Sequence, residues 1–424
     1  MLKFKWETEF KETEIGEIPK DWEVRKIEEI ANVSTGGTPS RKNEEYWGGD
    51  INWVKSQEVR KYFIWETEEK ITEKGMRKSN AKRIYLPNTV LIALYGATAG
   101  EAALLKVPAT VNQAIAALEG HKTNNLFLFY LLLANKERLK DISIGSAQQN
   151  LYLKDIKNFE VALPPANDEQ SRIATVLSWF DDLIENKKRQ NEILEKVAMA
   201  IFKSWFVDFE PFKDEEFVYN EELGKEIPKG WEVKKLGEFV YAQYGFTASG
   251  EETGKIKLLR IKDINKTFVI DWDSVPFCNI TNDIFPKYQL KNMDIVISRI
   301  GDIGKVAIVE NPPLSVFASY LIRLKIKNHK LTPYYLYYWL KAPDYQEYIQ
   351  GAAEGSTRPN TNAEVIKAGP ILIPPPSLIK KFEEVVFPIR SKIILNQKQI
   401  MVLRKIRDAL LPKLVFGKLR VEEV

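Results

Sequence analysis

Residues Ile18–Val24 read IPKDWEV, and residues Ile227–Val233 read IPKGWEV. Six of the seven letters agree, and the copies lie 209 residues apart (227 less 18) in a chain of 424. The likeness continues outward. EVRKIEEIANVSTG follows the first phrase and EVKKLGEFVYAQYG the second. WVKSQEV (Trp53–Val59) is answered by LLRIKDI (Leu258–Ile264). NTVLIALYGATAGEAAL, from Asn88, is answered by NMDIVISRIGDIGKVAI, from Asn292. Both read as a β-branched strand, a Gly-rich turn and a second strand. Aromatic helices follow, NLFLFYLLLAN from Asn125 and TPYYLYYWLKA from Thr332, then GSAQQNL at Gly145 and GSTRPNT at Gly355, then LPPA at Leu163 and IPPP at Ile373. Kept order at a near-constant offset marks a duplicated domain, and a unit this long is no short-repeat solenoid. Trp22 and Trp231 are expected to anchor the repeated phrase in the two cores.

After each proline stop the period changes. From Asp168 to about Phe206 there is neither Pro nor Gly, and apolar residues recur at helical spacing. One column is Ile173, Phe180, Lys187, Leu194, Ile201; the other is Leu177, Ile184, Asn191, Ala198, Trp205. The second copy, from Ser377, offers Val386, Ile393, Ile400, Arg407, Leu414 beside Ile389, Asn396, Leu403, Leu410. These are heptad seams with polar breaks. A helix of about 38 residues is about 57 Å long and cannot bury such a seam alone. Its partner is the other copy, and a two-fold between like helices makes them antiparallel. The expected fold is therefore α+β: two similar α/β globular domains joined by two long antiparallel helices, an internal pseudo-two-fold repeat. The expected segments are 1–165, globular; 166–207, first long helix; 208–374, globular; and 375–424, second long helix and tail.

Composition narrows the chemistry. The single cysteine, Cys278, forbids an intrachain disulfide, and with only His121 and His329 beside it a structural zinc site is excluded. The net charge of +4 and pI near 8.7 permit a nucleic-acid partner without requiring one. The N-terminal stretch has no apolar signal region, and no run approaches about 18 apolar residues, so a cytoplasmic protein without a membrane span is expected. Catalytic motifs are poor. NPPL (Asn311–Leu314) places Leu314 where an adenine methyltransferase would place a stacking aromatic, and no Gly-rich cofactor motif precedes it; it reads as a turn. GDIG and GATAG lack the Lys-Ser/Thr of a phosphate loop. Asp263, Asp294 and Asp302 have no accompanying Glu-x-Lys of a nuclease and read as solvated turn residues.

Polar loops carry the remaining signal. The first copy offers Thr38, Ser40, Arg41, Lys42, Lys55, Ser56, Gln57, Arg60, Ser146, Gln148, Gln149 and Asn150. The second offers Arg260, Lys262, Arg299, Lys305, Ser356, Thr357, Arg358 and Asn360. Arg and Lys suit guanine edges and phosphates, Gln and Asn suit adenine, Ser and Thr suit phosphates. Any one of them is equally an ordinary soluble loop residue. As a set they differ between copies while the framework does not, which is what reading two different sequences requires.

These features together resemble the specificity subunit of type I restriction–modification systems. The resemblance rests on both IPK-WEV phrases, GGTPSRKNEEYWGGDINWV, DIVISRIGDIGKVA, LPPANDEQSRIATVLSWFDDLIENKK, AIFKSWFVDFEP and LLPKLVFGKLRV. It implies two target-recognition domains, each reading one half of a split, asymmetric double-stranded DNA sequence. It implies long helices that set the gap and dock methyltransferase subunits, two of them, with restriction subunits joining. The chain itself would be non-catalytic and hold no cofactor or metal; S-adenosylmethionine, ATP and Mg would belong to the partners. The first copy departs at one turn, with Tyr95 and Glu101 where the second has Arg299 and Lys305. The rival readings are a self-contained adenine methyltransferase or nuclease, which S-adenosylmethionine binding by the isolated chain would favour, and a protein-only coiled-coil scaffold, which a gel shift would separate.

Overall fold

A computed structural model describes residues 2–142, 150–265, 268–328, 330–352 and 360–423. The chain forms two compact units, residues 1–182 with 403–424, and residues 183–402. Compactness thus cuts across the linear segmentation: each unit takes up a stretch of both long helices, because a buried helix face belongs with whatever it packs on.

In the first unit, Glu23–Lys26 pairs antiparallel with Glu160–Leu163 and brings the ends of the globular part together. Between them lies a five-stranded sheet in the order Ala31–Thr35, Ile115–Gly120, Val90–Ala93, Ala102–Leu105, Phe63–Ile64, antiparallel except for its last pair. A three-stranded sheet sets Trp47–Val54 between Thr110–Val111 and Glu69–Ile71. Helix α1 (Asn125–Ala134) starts where the Asn124 side chain accepts from the N–H groups of Leu126 and Phe127. It is apolar on every face because it is buried in one core with the sheet and with Ile173 and Leu177 of α2 (Asn167–Phe206).

The second unit repeats this plan. Glu232–Lys235 pairs with Pro370–Ile373. A four-stranded antiparallel sheet runs Val240–Tyr244, Leu321–Ile326, Ile295–Ser298, Val306–Ile308. Ile256–Leu259 lies between Phe277–Cys278 and Ser315–Phe317. Helix α3 (Pro333–Lys341) has Thr332 as its cap and Pro333 at its first position, where the missing N–H is harmless. Helix α4 (Pro376–Val415) matches α2 in length, 40 residues each.

Within each unit the long helices are antiparallel. In the first, Arg407 donates to Asp181 at 2.6 Å. In the second, Lys187 bonds Gln399 at 2.6 Å, Asn396 bonds Asn191 at 2.9 Å and Arg390 bonds Glu195 at 2.6 Å. Residue numbers rise along α2 as they fall along α4. One expected column shifts. The buried stripe of α2 runs through Leu177, Asp181, Ile184, Asn191, Glu195, Ala198 and Phe202, whereas Phe180 and Leu194 are only half-buried. The column is displaced by one residue because two seam positions hold carboxylates that apolar periodicity passes over.

Both tryptophans are buried as expected. Trp22 shares a core with Leu414 and Val415, and Gly417, at φ +68°, lets the backbone pass so close that a Cβ there would meet Pro19 at 2.4 Å. Trp231 meets the rings of Phe206, Phe209 and Phe212 with centroids 6.1, 5.5 and 5.2 Å away. Each copy of the phrase therefore closes over the end of a long helix. The terminal strands Leu2–Trp6 and Leu419–Glu423 pair antiparallel, and Arg420 bridges Glu7, Asp21 and Glu169 beside them.

Candidate nucleic-acid interface

In the first unit the loop after Ala31–Thr35 is held down by two glycines. A Cβ on Gly36 would lie 1.7 Å from the Val111 carbonyl oxygen, and the Gly37 oxygen accepts from Trp53 Nε1 at 2.9 Å. Thr38 is exposed beyond this anchor and donates to Gln113 Oε1 at 2.5 Å. The Ser40 carbonyl accepts from Trp47 Nε1 at 3.2 Å. Arg41 stacks on Trp47, 3.7 Å from its centroid, and forks onto Glu69, with Nη2–Oε2 at 3.0 Å. Lys55 reaches Glu68 at 2.8 Å and Glu69 at 3.2 Å. The Arg41 guanidinium, with Lys55 behind it, holds the Glu69 carboxyl down at about 2, despite partial desolvation. Two of the predicted basic contacts are thus neutralised within the protein. The short helix Ser56–Lys61 carries Ser56, an exposed Gln57, and Arg60, whose Nη2 donates to the Ala97 carbonyl at 2.5 Å. Buried Glu58 fixes this turn by accepting from the N–H groups of Lys55 and Glu68, each at 3.0 Å. Lys42 is exposed and forms no ion pair among the described residues. Ser146, Gln148 and Gln149 lie outside the described residues; Asn150 forms an antiparallel bridge with Tyr95.

In the second unit Arg299 and Asn360 come together. Arg299 Nε donates to the Ser319 carbonyl at 3.0 Å, Nη1 reaches Asn360 Oδ1 at 3.4 Å, and the guanidinium lies 5.2 Å from the Tyr244 ring centroid. Arg260 is folded back on Asp263 through Nε and Nη2, both at 2.9 Å, so it is spent on its own turn. Lys262 and Lys305 are exposed and form no ion pair among the described residues. Ser356, Thr357 and Arg358 lie outside the described residues.

The two sets of loops hang from the same backbone. Gly245, 209 residues after Gly36, also sits where a Cβ would collide with a carbonyl, Ala318 O at 2.2 Å. The Leu151 N–H bonds the Leu94 carbonyl as the Thr361 N–H bonds the Arg299 carbonyl, each at 2.8 Å. Tyr95 bridges Asn150 as Ile300 bridges Asn360. This pairing corrects the alignment of the turn: the counterpart of Arg299 is Leu94, which is buried, and Tyr95 answers Ile300. Glu101 does answer Lys305, since Ala93 and Ser298 donate to their respective carbonyls. Sequence reasoning missed Gln113, Trp47 and Tyr244, which position Thr38, Arg41 and Arg299; no local motif marks them, and only the fold brings them to the loops.

The long helices expose large apolar side chains. Trp179, Leu183, Ile193 and Val197 stand out on α2, and Phe387, Leu395, Val402 and Ile406 on α4. Ile193 and Val402, like Val197 and Ile406, stand 209 residues apart, so this part of the surface repeats with the helices. Ile193 and Val197, and likewise Val402 and Ile406, are four residues apart and so share a helix face.

The carboxylates considered for a nuclease do not gather. Asp263 pairs with Arg260, Asp294 with buried Arg323 at 3.2 Å, and Asp302 accepts from Asn265 at 2.8 Å. Among the described residues no group of His, Cys, Asp or Glu is placed to hold a metal ion, and no helix is long and apolar enough to cross a membrane. NPPL forms the loop between Val306–Ile308 and Ser315–Phe317, pinned by the Asn311 N–H on Asn292 Oδ1 at 2.9 Å.

Comparison with known proteins agrees with the duplication. Residues 19–196 and 228–404 each match the family described as the type I restriction modification DNA specificity domain. The type I restriction enzyme MjaIX specificity subunit of Methanocaldococcus jannaschii is 44% identical over 435 aligned residues, covering 100% of this chain and 99% of that protein. The MjaVIII specificity subunit of the same organism is 27% identical over 437, again covering 100% and 99%. The crystal structure of the type I restriction–modification S subunit from M. genitalium aligns with a TM-score of 0.52 at 18% identity, over 93% of this chain and 96% of that one, and so shares the fold.

Proposed function

Because this chain belongs to the specificity subunits of type I restriction–modification systems, whose DNA specificity domain it carries twice, we propose that it reads a split, asymmetric DNA sequence, one half with each recognition domain. The observation that carries this reading is the shared backbone with unlike side chains: Arg299 and Asn360 meet beside Tyr244 where the first copy places Leu94 and Asn150. Two different contact sets on one scaffold give two different half-sites. In the first domain Thr38, Lys42, Gln57 and Asn150 contact DNA, with Arg41 and Lys55 released from Glu69 only when phosphate competes for them. In the second, Arg299, Lys305, Lys262 and Asn360 do so. The undescribed residues Ser146, Gln148, Gln149, Ser356, Thr357 and Arg358 remain candidates on the strength of their residue types.

The exposed apolar rows of α2 and α4 are the docking surface for methyltransferase subunits, two because Ile193 and Val197 recur as Val402 and Ile406. Restriction subunits join that complex. Methyl transfer and ATP-driven cleavage belong to those partners, together with S-adenosylmethionine, ATP and Mg, and the work is done where the DNA is, in the cytoplasm. The test is domain exchange: replacing residues 1–160 with a homologous domain is expected to change one half of the methylated sequence, read by methylation-site sequencing of the assembled complex. A change in both halves, or S-adenosylmethionine binding by the isolated chain, would overturn the reading.

A further inference from the structure

The buried charges between the long helices are distributed by helix, not by domain. In the first unit Asp181 of α2 accepts from Arg407 of α4, with hydroxyls of Tyr62 at 3.2 Å and Tyr130 at 2.6 Å on its other oxygen. In the second unit Glu195 of α2 accepts from Arg390 of α4 at 2.6 Å, from Lys341 at 2.6 Å and from Tyr337 and Tyr338 at 2.9 and 3.0 Å. Asp181, Glu195 and Arg390 are all nearly inaccessible. Since α2 and α4 are equally long and begin 209 residues apart, Arg390 holds the register position of Asp181, and Arg404 that of Glu195. At both levels α2 supplies an acid and α4 an arginine. If the charges followed the repeat, each helix would carry the same residue at each level, and two copies of either could pair. Here, an antiparallel pair of α2 helices in this register would bury Asp181 against Glu195. A pair of α4 helices would bring Arg390 towards Arg404 and Arg407, but Glu310 and Asp408 of the same half already pair with Arg390 and Arg407, so the bar lies on the acid side. Two buried carboxylates facing each other with no arginine between them are strongly destabilising.

We propose that this acid-on-α2, arginine-on-α4 pattern is a pairing determinant: the buried face of α2 fits a helix with arginines at these two levels and excludes a second copy of itself. The partner of each half of the chain is therefore the other half, or the second half of another specificity chain with arginines at the same levels. A symmetric assembly of two first halves, which would read a palindrome, is closed to this sequence. The pattern is a specificity device like the polar and charged positions that set partner choice in coiled coils.

The test uses the full chain with a protease site placed between the exposed residues Lys213 and Asp214. The cleaved protein is unfolded in denaturant and refolded by dilution, so that both fragments are free to choose partners, and native mass spectrometry counts the pairs. Heterodimers of the two fragments are expected, with first-fragment homodimers at least tenfold rarer. Asp181→Asn with Glu195→Gln removes the like-charge penalty and is expected to raise the homodimer fraction at least tenfold. Abundant homodimers from the unsubstituted fragment would overturn the proposal. So would a homodimer fraction that the neutral pair of substitutions leaves unchanged.

Discussion

Asn396 donates to Asn191 across 2.9 Å in the seam between α2 and α4, with both side chains buried and Asn396 Oδ1 left without a partner. A polar pair at a seam position stabilises less than two leucines would, and in exchange makes one register better than its neighbours. Asn396→Ala leaves Asn191 facing nothing and is expected to cost about 1–3 kcal/mol. Asn191→Leu with Asn396→Leu should melt no lower than the parent. Chemical denaturation of the three proteins checks the order; a double variant less stable than the single would show that the pair contributes stability rather than register.

Arg390 is the deepest charge in the second unit, bonded to Glu195 and to Glu310. Arg390→Met removes the cation that buried Glu310 pairs with and leaves Glu195 with Lys341 alone, and should cost about 3–5 kcal/mol. The pH dependence has a definite sign. Burial pushes the Glu195 carboxyl up, and Lys341 and Arg390 more than offset this and hold it below its usual value; without the guanidinium that lowering shrinks, and with it stability that is present above the usual carboxylate range and lost in acid. The deficit of the variant is therefore expected to shrink in acid relative to neutral pH, as read by thermal unfolding across that range. An equal deficit at both would assign the loss to packing alone.

That pair also shows how far the sequence could be read. The repeat, the two aromatic helices and the long helices were legible because each rests on local pattern: cap residues such as Asn124 and Thr332, proline stops, and apolar spacing. The seam register was not fully legible. Asp181 and Glu195 look like solvent-facing residues until the fold supplies Arg407, Arg390 and the tyrosines that satisfy them. The loop residues show the same limit. Arg41 and Lys55 carry the right chemistry for DNA, and nothing in their own segments reveals that Glu69 and Glu68 already hold them, whereas Arg260 is held by Asp263 within its own segment. Long-range partners decide whether a charged side chain is available, and a linear pattern does not contain them.

Arg299 and Arg260 should behave differently although both are arginines in predicted contact loops. Arg299 lies against Tyr244 and Asn360 and has no carboxylate partner among the described residues, whereas Arg260 forks onto Asp263. If Arg299 reads a base, Arg299→Ala costs about 1–3 kcal/mol of discrimination at one position of the second half-site. Arg260→Ala is expected to change binding by less and to act through its loop. Gel shifts of the complex with single-base variants of the target measure both; equal effects would remove Arg299 from the reading set.

Glu69→Gln releases Arg41 from its carboxylate, while Lys55 keeps Glu68. An added free cation strengthens phosphate binding and steepens its salt dependence by about one counter-ion per contact. The variant is expected to bind DNA more tightly at low salt and to discriminate between sequences less. Titrations at several salt concentrations give the slope. A slope equal to that of the parent would mean that Arg41 faces away from DNA.

The exposed apolar row makes its own prediction. Ile193, Val197, Val402 and Ile406 are large, accessible and repeated between the helices. Substituting exposed positions leaves the fold within about 0.5 kcal/mol of the parent, so a defect in assembly is a defect in docking. Ile193→Glu with Val197→Glu is expected to remove one methyltransferase subunit, and the same change at Val402 and Ile406 in addition should remove both. Native mass spectrometry of co-purified complexes counts them. Full occupancy in the fourfold variant would place the docking surface elsewhere.

The last prediction concerns the gap between half-sites. The pairs Asp181–Arg407 and Glu195–Arg390 lie on either side of Asn186 in α2 and of Ile400 in α4. Four residues inserted after Asn186 add about one helical turn, roughly 5.4 Å, more than the base-pair rise of about 3.4 Å. An insertion in α2 alone puts the two charge pairs out of step, so it should lower the melting temperature. Matched four-residue insertions after Asn186 and after Ile400 keep both charge pairs, together with Asn191–Asn396 and Lys187–Gln399, and should restore it. If the helices are the ruler, the matched variant methylates a target whose unspecified gap is longer by about one or two base pairs, with both specified blocks unchanged, since the loops that read them are untouched. Methylation-site sequencing in cells carrying the methyltransferase gives the gap directly. An unchanged gap with activity retained would mean that something other than helix length sets the spacing.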